Sequence, residues 1–213
     1  MSWWTTLFLC CDGGEHPGGR ELLDRALSLV APRPGSRFLD LAAGGGDTVR
    51  YLRSLGFSAL GIDCDEKRVS DAVMLADAAA LPLPESSTDH VLIECALSQM
   101  RDPAAVLTEC DRVCCPGGWL ILTDLYAKTG ECVGSGPLGR LDTKERLIER
   151  ITAAGFVVTH FEDVSELLTA FWMQTLLSGR GDDILKRVRQ EDGFRLASCG
   201  YYFCIAKKER ELC

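Results

Sequence analysis

The sequence predicts an α/β fold built on a mostly parallel sheet. Short apolar runs alternate with amphipathic stretches along most of its 213 residues, which is the pattern of repeated strand–helix units. The most informative stretch is residues 37–52, where an apolar run ends in Asp40, a glycine cluster follows, and an amphipathic segment starts at once. This order predicts a strand, a tight turn and a helix, the opening unit of a nucleotide-binding sheet.

The residue after these glycines restricts the kind of nucleotide. Counted from Ala42, the segment reads Ala-x-Gly-x-x-Asp, so Asp47 stands where a dinucleotide fingerprint has its third glycine. A carboxylate at a helix start would repel a pyrophosphate, which disfavours a nicotinamide oxidoreductase. A ligand with positive centres and no phosphate suits Asp40 and Asp47 better. S-adenosylmethionine (SAM), with its ammonium and sulfonium groups, is such a ligand.

Residues 37–52 resemble motif I of the class I SAM-dependent methyltransferases, in particular the small-molecule branch with sequences like methyltransferase domain 11. Asp40 stands at the acid of that motif, and Gly44 and Gly46 stand at its second and third glycines. Ala42 replaces the first glycine, and this removes a residue that tolerates positive φ without cost. The resemblance implies SAM as the cofactor.

Three later motifs follow in the family's order. Asp63 closes the second predicted strand about 20 residues beyond the glycines, a spacing that predicts hydrogen bonds to the ribose hydroxyls. The resemblance adds that Cys64 lies beside the adenine, that Asp77 contacts the adenine amino group, and that the Ala78 N–H reaches a ring nitrogen. The third motif is the Pro-Gly-Gly segment at 116–118.

The same resemblance implies the arrangement of the strands. We expect a Rossmann-like sandwich whose seven-stranded, mostly parallel sheet has the order 3-2-1-4-5-7-6, with helices on both faces. We also expect a single domain over 1–213, in which residues 1–30 form a cap and residues 31–207 form the core.

Periodicity and turn residues predict the elements of the first half. Gly56 ends one helix, and the run at 89–95 is apolar on both faces, as in a buried parallel strand. The predicted order is helix 20–29, strand 37–40, helix 48–55, strand 57–62, a short helix 66–73, a strand at 74–78, and strand 89–95.

In the second half, Pro103 suits the first turn of a helix, Asp142-Thr-Lys-Glu145 resembles a capping box, and Gly155 ends a helix. The predicted order is a helix from Pro103 to Cys115, strand 119–126, a glycine-rich loop 127–141, helix 142–154, strand 156–161, helix 163–177, a polar linker and helix 179–191, and strand 201–206.

Composition excludes several classes of partner. A formal net charge of -8 and a pI near 5.0 argue against nucleic acid or an anionic membrane as partner. The apolar segment 1–10 has neither a basic region nor a cleavage site, so it predicts neither a signal peptide nor a membrane span. The eleven cysteines are odd in number and include adjacent pairs, which predicts free thiols in the cytoplasm and no metal site.

Residues that follow the fourth strand should line the active crevice, which makes Glu94, Ser98 and Met100 candidate pocket residues. Glu94 is also a candidate for cofactor binding. Glu94, His16 and Tyr126 are the candidates for a general base, although methyl transfer by in-line displacement at a sulfonium-activated carbon does not require one. The predicted reaction is SAM-dependent methyl transfer to a small-molecule acceptor.

Two alternatives remain open at this stage. A chain with this fold can bind SAM without turnover and serve as a scaffold. Arsenic methyltransferases share the general fold and bind the metalloid through thiolates, for which the available cysteines are Cys10, Cys11, Cys114, Cys115 and Cys132.

Overall fold

A computed structural model describes residues 16–129, 141–175, 177 and 199–209. Its centre is a seven-stranded sheet with the order β3-β2-β1-β4-β5-β7-β6, as predicted. The strands from β1 to β5 pair in parallel, whereas β7 runs antiparallel to both β5 and β6. The sheet therefore confirms the predicted class and strand order.

The elements follow one another in strand–helix alternation. The strands are β1 Arg37–Leu41, β2 Ser58–Asp63, β3 Val73–Leu75, β4 Thr88–Glu94, β5 Cys114–Ala127, β6 Phe156–Asp163 and β7 Cys199–Lys208. The α-helices within the described ranges are α1 Gly19–Val30, α2 Asp47–Ser54, α3 Pro103–Val113, α4 Lys144–Ala153 and α5 Ser165–Thr175.

Helices cover both faces of the sheet, so the core has two apolar layers. On one face, side chains of α1, α2 and α5 pack against the sheet, with Leu22, Leu52 and Leu168 among the buried residues. On the other face, α3 and α4 contribute buried residues such as Leu107 and Ile151. This burial on both faces explains why the central strands are almost continuously apolar.

The strand register fixes where the acids of the sequence meet. Asp40 of β1 lies beside Gly61 of β2 and beside Leu92 of β4. Asp63 and Glu94 each follow two residues later on those neighbouring strands. Because side chains alternate between faces with a period of two, all three carboxylates point to the same side near the carboxyl ends of the strands.

Two predicted boundaries are wrong. The predicted helix 66–73 is only a short 3₁₀ turn at Glu66–Arg68, because Val73 already begins the buried strand β3. Strand β5 begins at Cys114 rather than at Trp119: Cys114 pairs with Thr88 and Trp119 pairs with His90, so the Pro-Gly-Gly segment forms a bulge within the strand.

The capping box of α4 is also shifted. The hydroxyl of Thr143 accepts a hydrogen bond from the Arg146 N–H and thereby caps the helix. Asp142 instead accepts a hydrogen bond at 2.9 Å from Arg150. The predicted segments 1–15 of the cap, 130–140 of the glycine-rich loop and 179–191 lie outside the described residues.

Gly61 gives a test of this architecture. A Cβ at Gly61 would lie 2.7 Å from the Cβ of Ala43 and 3.1 Å from both the Ala72 carbonyl and a Val49 methyl group. Gly61→Ala should therefore lower the free energy of unfolding by about 1–3 kcal/mol through overpacking, as measured by urea denaturation.

The matched control for this prediction is Gly45→Ala, where the nearest atom, a carboxylate oxygen of Asp47, lies 3.6 Å from the added Cβ. This change should stay within roughly 0.5 kcal/mol of wild type. Equal losses in both variants would contradict the assigned packing between the first turn and β2.

Candidate active site

A cavity of about 690 Å³ lies at the carboxyl ends of β1, β2 and β4, where open α/β sheets bind their ligands. This volume is within the range of small-molecule sites. Among the described residues, six carboxylates and two arginines line it, together with one histidine and several small apolar residues. The charged lining residues are Asp40, Asp47, Asp63, Asp77, Glu94, Asp102, Arg68, Arg101 and His16.

The turn after β1 forms one wall of this cavity. Its backbone enters the left-handed region at Ala42, Gly44 and Gly46, with φ of 59°, 54° and 80°. The Gly46 N–H donates to the Ala43 carbonyl at 2.8 Å, which closes the turn. Glycine adopts such angles freely, whereas alanine pays a steric penalty. The Ala42 substitution therefore leaves the turn intact but strained.

Asp63 connects this turn to the end of β2. One oxygen of its carboxylate accepts a hydrogen bond from the Gly44 N–H at 2.9 Å, and the other accepts from the Asp65 N–H at 2.9 Å. A carboxylate offers about four acceptor positions, so roughly two remain for a ligand. Asp63 is therefore fixed in orientation on the cavity wall and still able to accept hydrogen bonds.

The residues predicted to contact the adenine also line this cavity. Cys64, Asp77 and Ala78 line the cavity, and Met100 lines it from the segment after β4. The Asp77 carboxylate accepts a hydrogen bond from the Ala79 N–H at 2.9 Å, which holds the turn after β3. The predicted adenine-contact residues are thus brought together in one region.

Glu94 and His16 form a buried pair at the end of β4. The His16 Nε2 lies 3.4 Å from one Glu94 oxygen, and the Thr48 hydroxyl donates to the other at 2.8 Å. Burial alone would lower the pKa of His16, but the charge of Glu94 and its hydrogen bond outweigh this and raise it. Burial alone would raise the pKa of Glu94, but His16 and Thr48 lower it. The two groups therefore stabilise each other as an ion pair.

Asp124 is a positioning residue that the sequence analysis missed. Its carboxylate accepts hydrogen bonds from the Ser98 N–H at 2.6 Å and the Ser98 hydroxyl at 2.9 Å. These contacts fix the short 3₁₀ turn Leu97–Gln99, so Ser98 bonds to Asp124 and is absent from the cavity lining, contrary to prediction. Burial raises the pKa of Asp124 to about 6. The sequence did contain a signal for this role, because Asp124 is the one charged residue in the otherwise uncharged strand β5.

Tyr126 lies away from the cavity, so its predicted place in the site is wrong. It is on the face of the sheet covered by α3 and α4, with its ring edge-on to Phe161 and Tyr202. Burial, together with a hydrogen bond to Asp163, raises the pKa of the Tyr126 hydroxyl to about 12.

Two cysteines of the metalloid alternative can be located. Cys114 and Cys115 begin β5, at the opposite end of the parallel strands from the cavity. Cys10, Cys11 and Cys132 lie outside the described residues. Over the described ranges, no group of three or more His, Cys, Asp or Glu side chains is arranged to hold a metal ion.

Asp47 occupies the first turn of α2, as the sequence predicts. Its carboxylate pairs with Arg50 at 2.8 Å, and Arg50 also donates to the Gly45 carbonyl. An anion at this helix start opposes a pyrophosphate. The predominantly acidic cavity suits a ligand with positive centres, such as the ammonium and sulfonium of SAM.

Comparison with known proteins agrees with this geometry. The model of a family described as a methyltransferase domain matches residues 39–122. A demethylmenaquinone methyltransferase of Renibacterium salmoninarum is 33% identical over 54% of this chain and 51% of its own length. A 27-O-demethylrifamycin SV methyltransferase of Amycolatopsis mediterranei is 29% identical over 71% of this chain and 65% of its own. The chain spans about half the length of the first of these relatives.

Solved structures share the fold. The 4+2 cyclase SpnF superposes with a TM-score of 0.68 at 25% identity, covering 90% of this chain and 83% of that one. Phosphoethanolamine N-methyltransferase 2 of Haemonchus contortus, in complex with SAM, has a TM-score of 0.72 at 19% identity, covering 91% of this chain and 54% of that one.

The sheet order, the turn after β1 and the acidic cavity define a Rossmann-like fold with a candidate ligand site at the carboxyl ends of its parallel strands. In its matched domain and in its relatives named as methyltransferases, the chain is similar to the SAM-dependent methyltransferases. No helix among the described residues is both long and apolar enough to cross a lipid bilayer.

The strain at Ala42 is testable. Ala42→Gly should raise the free energy of unfolding by about 0.5–1 kcal/mol, because glycine relieves the left-handed backbone angle at this position. Urea denaturation would measure the change.

Ala43→Gly is the control for this prediction, since Ala43 has no positive φ and packs partly against the core. It should lower the free energy of unfolding by a similar amount. A loss of stability in Ala42→Gly would show that the strain assigned to the turn is absent.

Proposed function

We propose that this chain binds SAM in the acidic cavity and transfers the methyl group to a small-molecule acceptor. The observation that carries the proposal is the cluster of carboxylates on the wall formed by the ends of β1, β2 and β4, beside the left-handed turn of motif I. SAM supplies a methyl carbon that its sulfonium already activates. The protein's task is then mainly to position the two reactants.

The residues fit the parts of this cofactor. Asp63 has free acceptor positions for the two ribose hydroxyls. In this proposal, Asp77 and the Ala78 N–H bind the adenine edge, and Cys64 lies beside the ring. Asp40 and Glu94 provide negative charge for the ammonium end. Each of these residues lines the cavity, and these roles are part of the proposal.

The relatives suggest which acceptors to test first. They are named as methyltransferases of demethylmenaquinone, of ubiquinone biosynthesis and of 27-O-demethylrifamycin SV. We infer that the acceptor of this chain is a compound with a quinone or hydroxylated aromatic ring. The formal net charge of -8 supports a small acceptor over nucleic acid.

We further infer a single domain over 1–213 with its core at 31–207. The contribution of residues 1–30 as a cap is supported by His16, which lines the cavity, and by α1, which packs on the sheet. Several described cysteines have free thiols, and this supports a cytoplasmic location; they are Cys64, Cys95, Cys110, Cys114, Cys115 and Cys204.

Cofactor binding gives the first test. Calorimetric titration with SAM or S-adenosylhomocysteine (SAH) should show binding, and Asp63→Ala should weaken it about 10–100-fold, because hydrogen bonds to a charged group contribute roughly 1.5–3 kcal/mol. Asp71→Ala, an exposed acid outside the cavity lining, should bind as wild type does. No binding to the wild type at millimolar ligand would refute the proposal.

Turnover distinguishes an enzyme from a SAM-binding scaffold. Incubation with SAM and a panel of demethylated quinones and hydroxylated aromatics should yield SAH and a product heavier by one methyl group, detected by mass spectrometry. At subsaturating SAM, Asp63→Ala should lower the rate about as much as it weakens binding. SAH binding without turnover of any acceptor would favour the non-catalytic alternative.

A further inference from the structure

Asp40 is a buried acid whose carboxyl lacks a hydrogen-bond partner among the described residues. Its exposed fraction is 3%, and it lines the cavity at the end of β1. No donor from the described part of the chain stabilises its ionised form, unlike Asp63, which has two backbone N–H groups. A buried carboxylate without a donor or a cation is costly. The unpaired state of Asp40 therefore needs a physical explanation.

The neighbours of Asp40 make its ionisation less favourable still. The register places Glu94 two residues beyond its partner on β4 and Asp63 two residues beyond its partner on β2. Asp40 thus lies between two acids that point to the same side. The described cation that acts on Asp40 is His16, and its imidazole is paired with Glu94 at 3.4 Å.

We propose that Asp40 is protonated in the ligand-free protein and releases this proton to solvent when the ammonium group of the cofactor enters. The inference rests on the proposed function, because it requires SAM or SAH in the cavity. In the change, the O–H bond of Asp40 breaks, the proton passes to the buffer, and the resulting carboxylate faces the ammonium. Cofactor binding is then coupled to proton release and becomes stronger as the pH rises.

The electrostatic surroundings support this assignment. Burial raises the pKa of Asp40 well above its usual range, Glu94 and Asp63 raise it further, and His16 offsets only part of the effect. The lowered pKa of Glu94 and the raised pKa of His16 keep that pair charged. Asp40 is therefore the member of the group whose surroundings favour the protonated form. The two remaining lining cations are Arg68 and Arg101.

Two ligands separate the ammonium from the rest of the cofactor. SAH carries the amino-acid end, whereas 5′-methylthioadenosine keeps the adenosine and the sulfur but has no ammonium. Calorimetry at pH 7 in phosphate and in Tris, buffers with different ionisation enthalpies, reports protons released on binding. For the wild type, the enthalpy with SAH should differ between the buffers, and that with methylthioadenosine should not.

Asp40→Asn is the variant that tests the source of the proton, because the amide imitates the protonated acid in shape and charge. It should still bind methylthioadenosine as the wild type does, which shows that the cavity is intact. Its SAH enthalpy should not depend on the buffer. The wild-type affinity for SAH should rise by up to about tenfold per pH unit below the pKa of Asp40, and this dependence should disappear in the variant.

Two control variants and two contradicting results complete this test. Asp47→Asn changes an exposed lining acid, and His16→Gln removes the imidazole; both should retain proton release. Release that persists in Asp40→Asn would overturn the assignment, whether the proton came from His16 or from the ligand's own ammonium. Absence of SAH binding to the wild type would instead refute the proposed function and remove the basis of this inference.

Stability provides a second readout on the free protein. When folding raises the pKa of a carboxyl, the folded state binds more protons than the unfolded state at any pH between the two pKa values. Its contribution to stability is therefore lost as the pH rises from the unfolded value of about 3.9 through the folded one. Asp40→Asn removes this loss, so the variant should gain stability relative to wild type as the pH rises above about 4. No relative gain would contradict a protonated Asp40.

Discussion

The hydrogen bond from the Gly44 N–H to the Asp63 carboxylate is the contact on which the site depends. It joins the turn after β1 to the end of β2 at 2.9 Å. The same carboxylate also fixes the Asp65 N–H, so a single side chain sets the position of two loops. The absence of a side chain at Gly61 allows the turn to approach β2, because any Cβ there would meet Ala43. The turn after β1 and the acid proposed to bind the ligand, Asp63, therefore form one structural unit.

The second constraint is electrostatic. The parallel register brings carboxylates from three neighbouring strands to one side of the sheet, and the interior offers few groups to neutralise them. Glu94 is stabilised by His16 and Thr48, and Asp63 by backbone donors. Asp40 has neither. A protein that keeps such an arrangement stores an unfavourable interaction that an incoming cation relieves, which favours cationic ligands over pyrophosphates.

The sequence predicted the fold well because its strongest signals are local. Glycines at the turn after β1, the acid at the end of β2 and the apolar run of β4 each specify their structure within a few residues. Errors arose where a distant contact decided the outcome. The helix predicted at 66–73 was replaced by β3 because Val73 pairs with Gly61. The bulge at 115–118 depends on pairing between β4 and β5, which local patterns do not report.

The site was predicted less completely than the fold for the same reason. Acids at strand ends could be assigned from spacing, whereas Asp124 acts on Ser98 across 26 positions of the chain. Tyr126 was misplaced because the alternation of faces along β5 turns it towards α4. A shared fold also leaves the reaction open, as the likeness to a cyclase shows. The proposed function rests on charges that only the folded chain brings together, because Asp40, Asp63 and Glu94 come from three different strands.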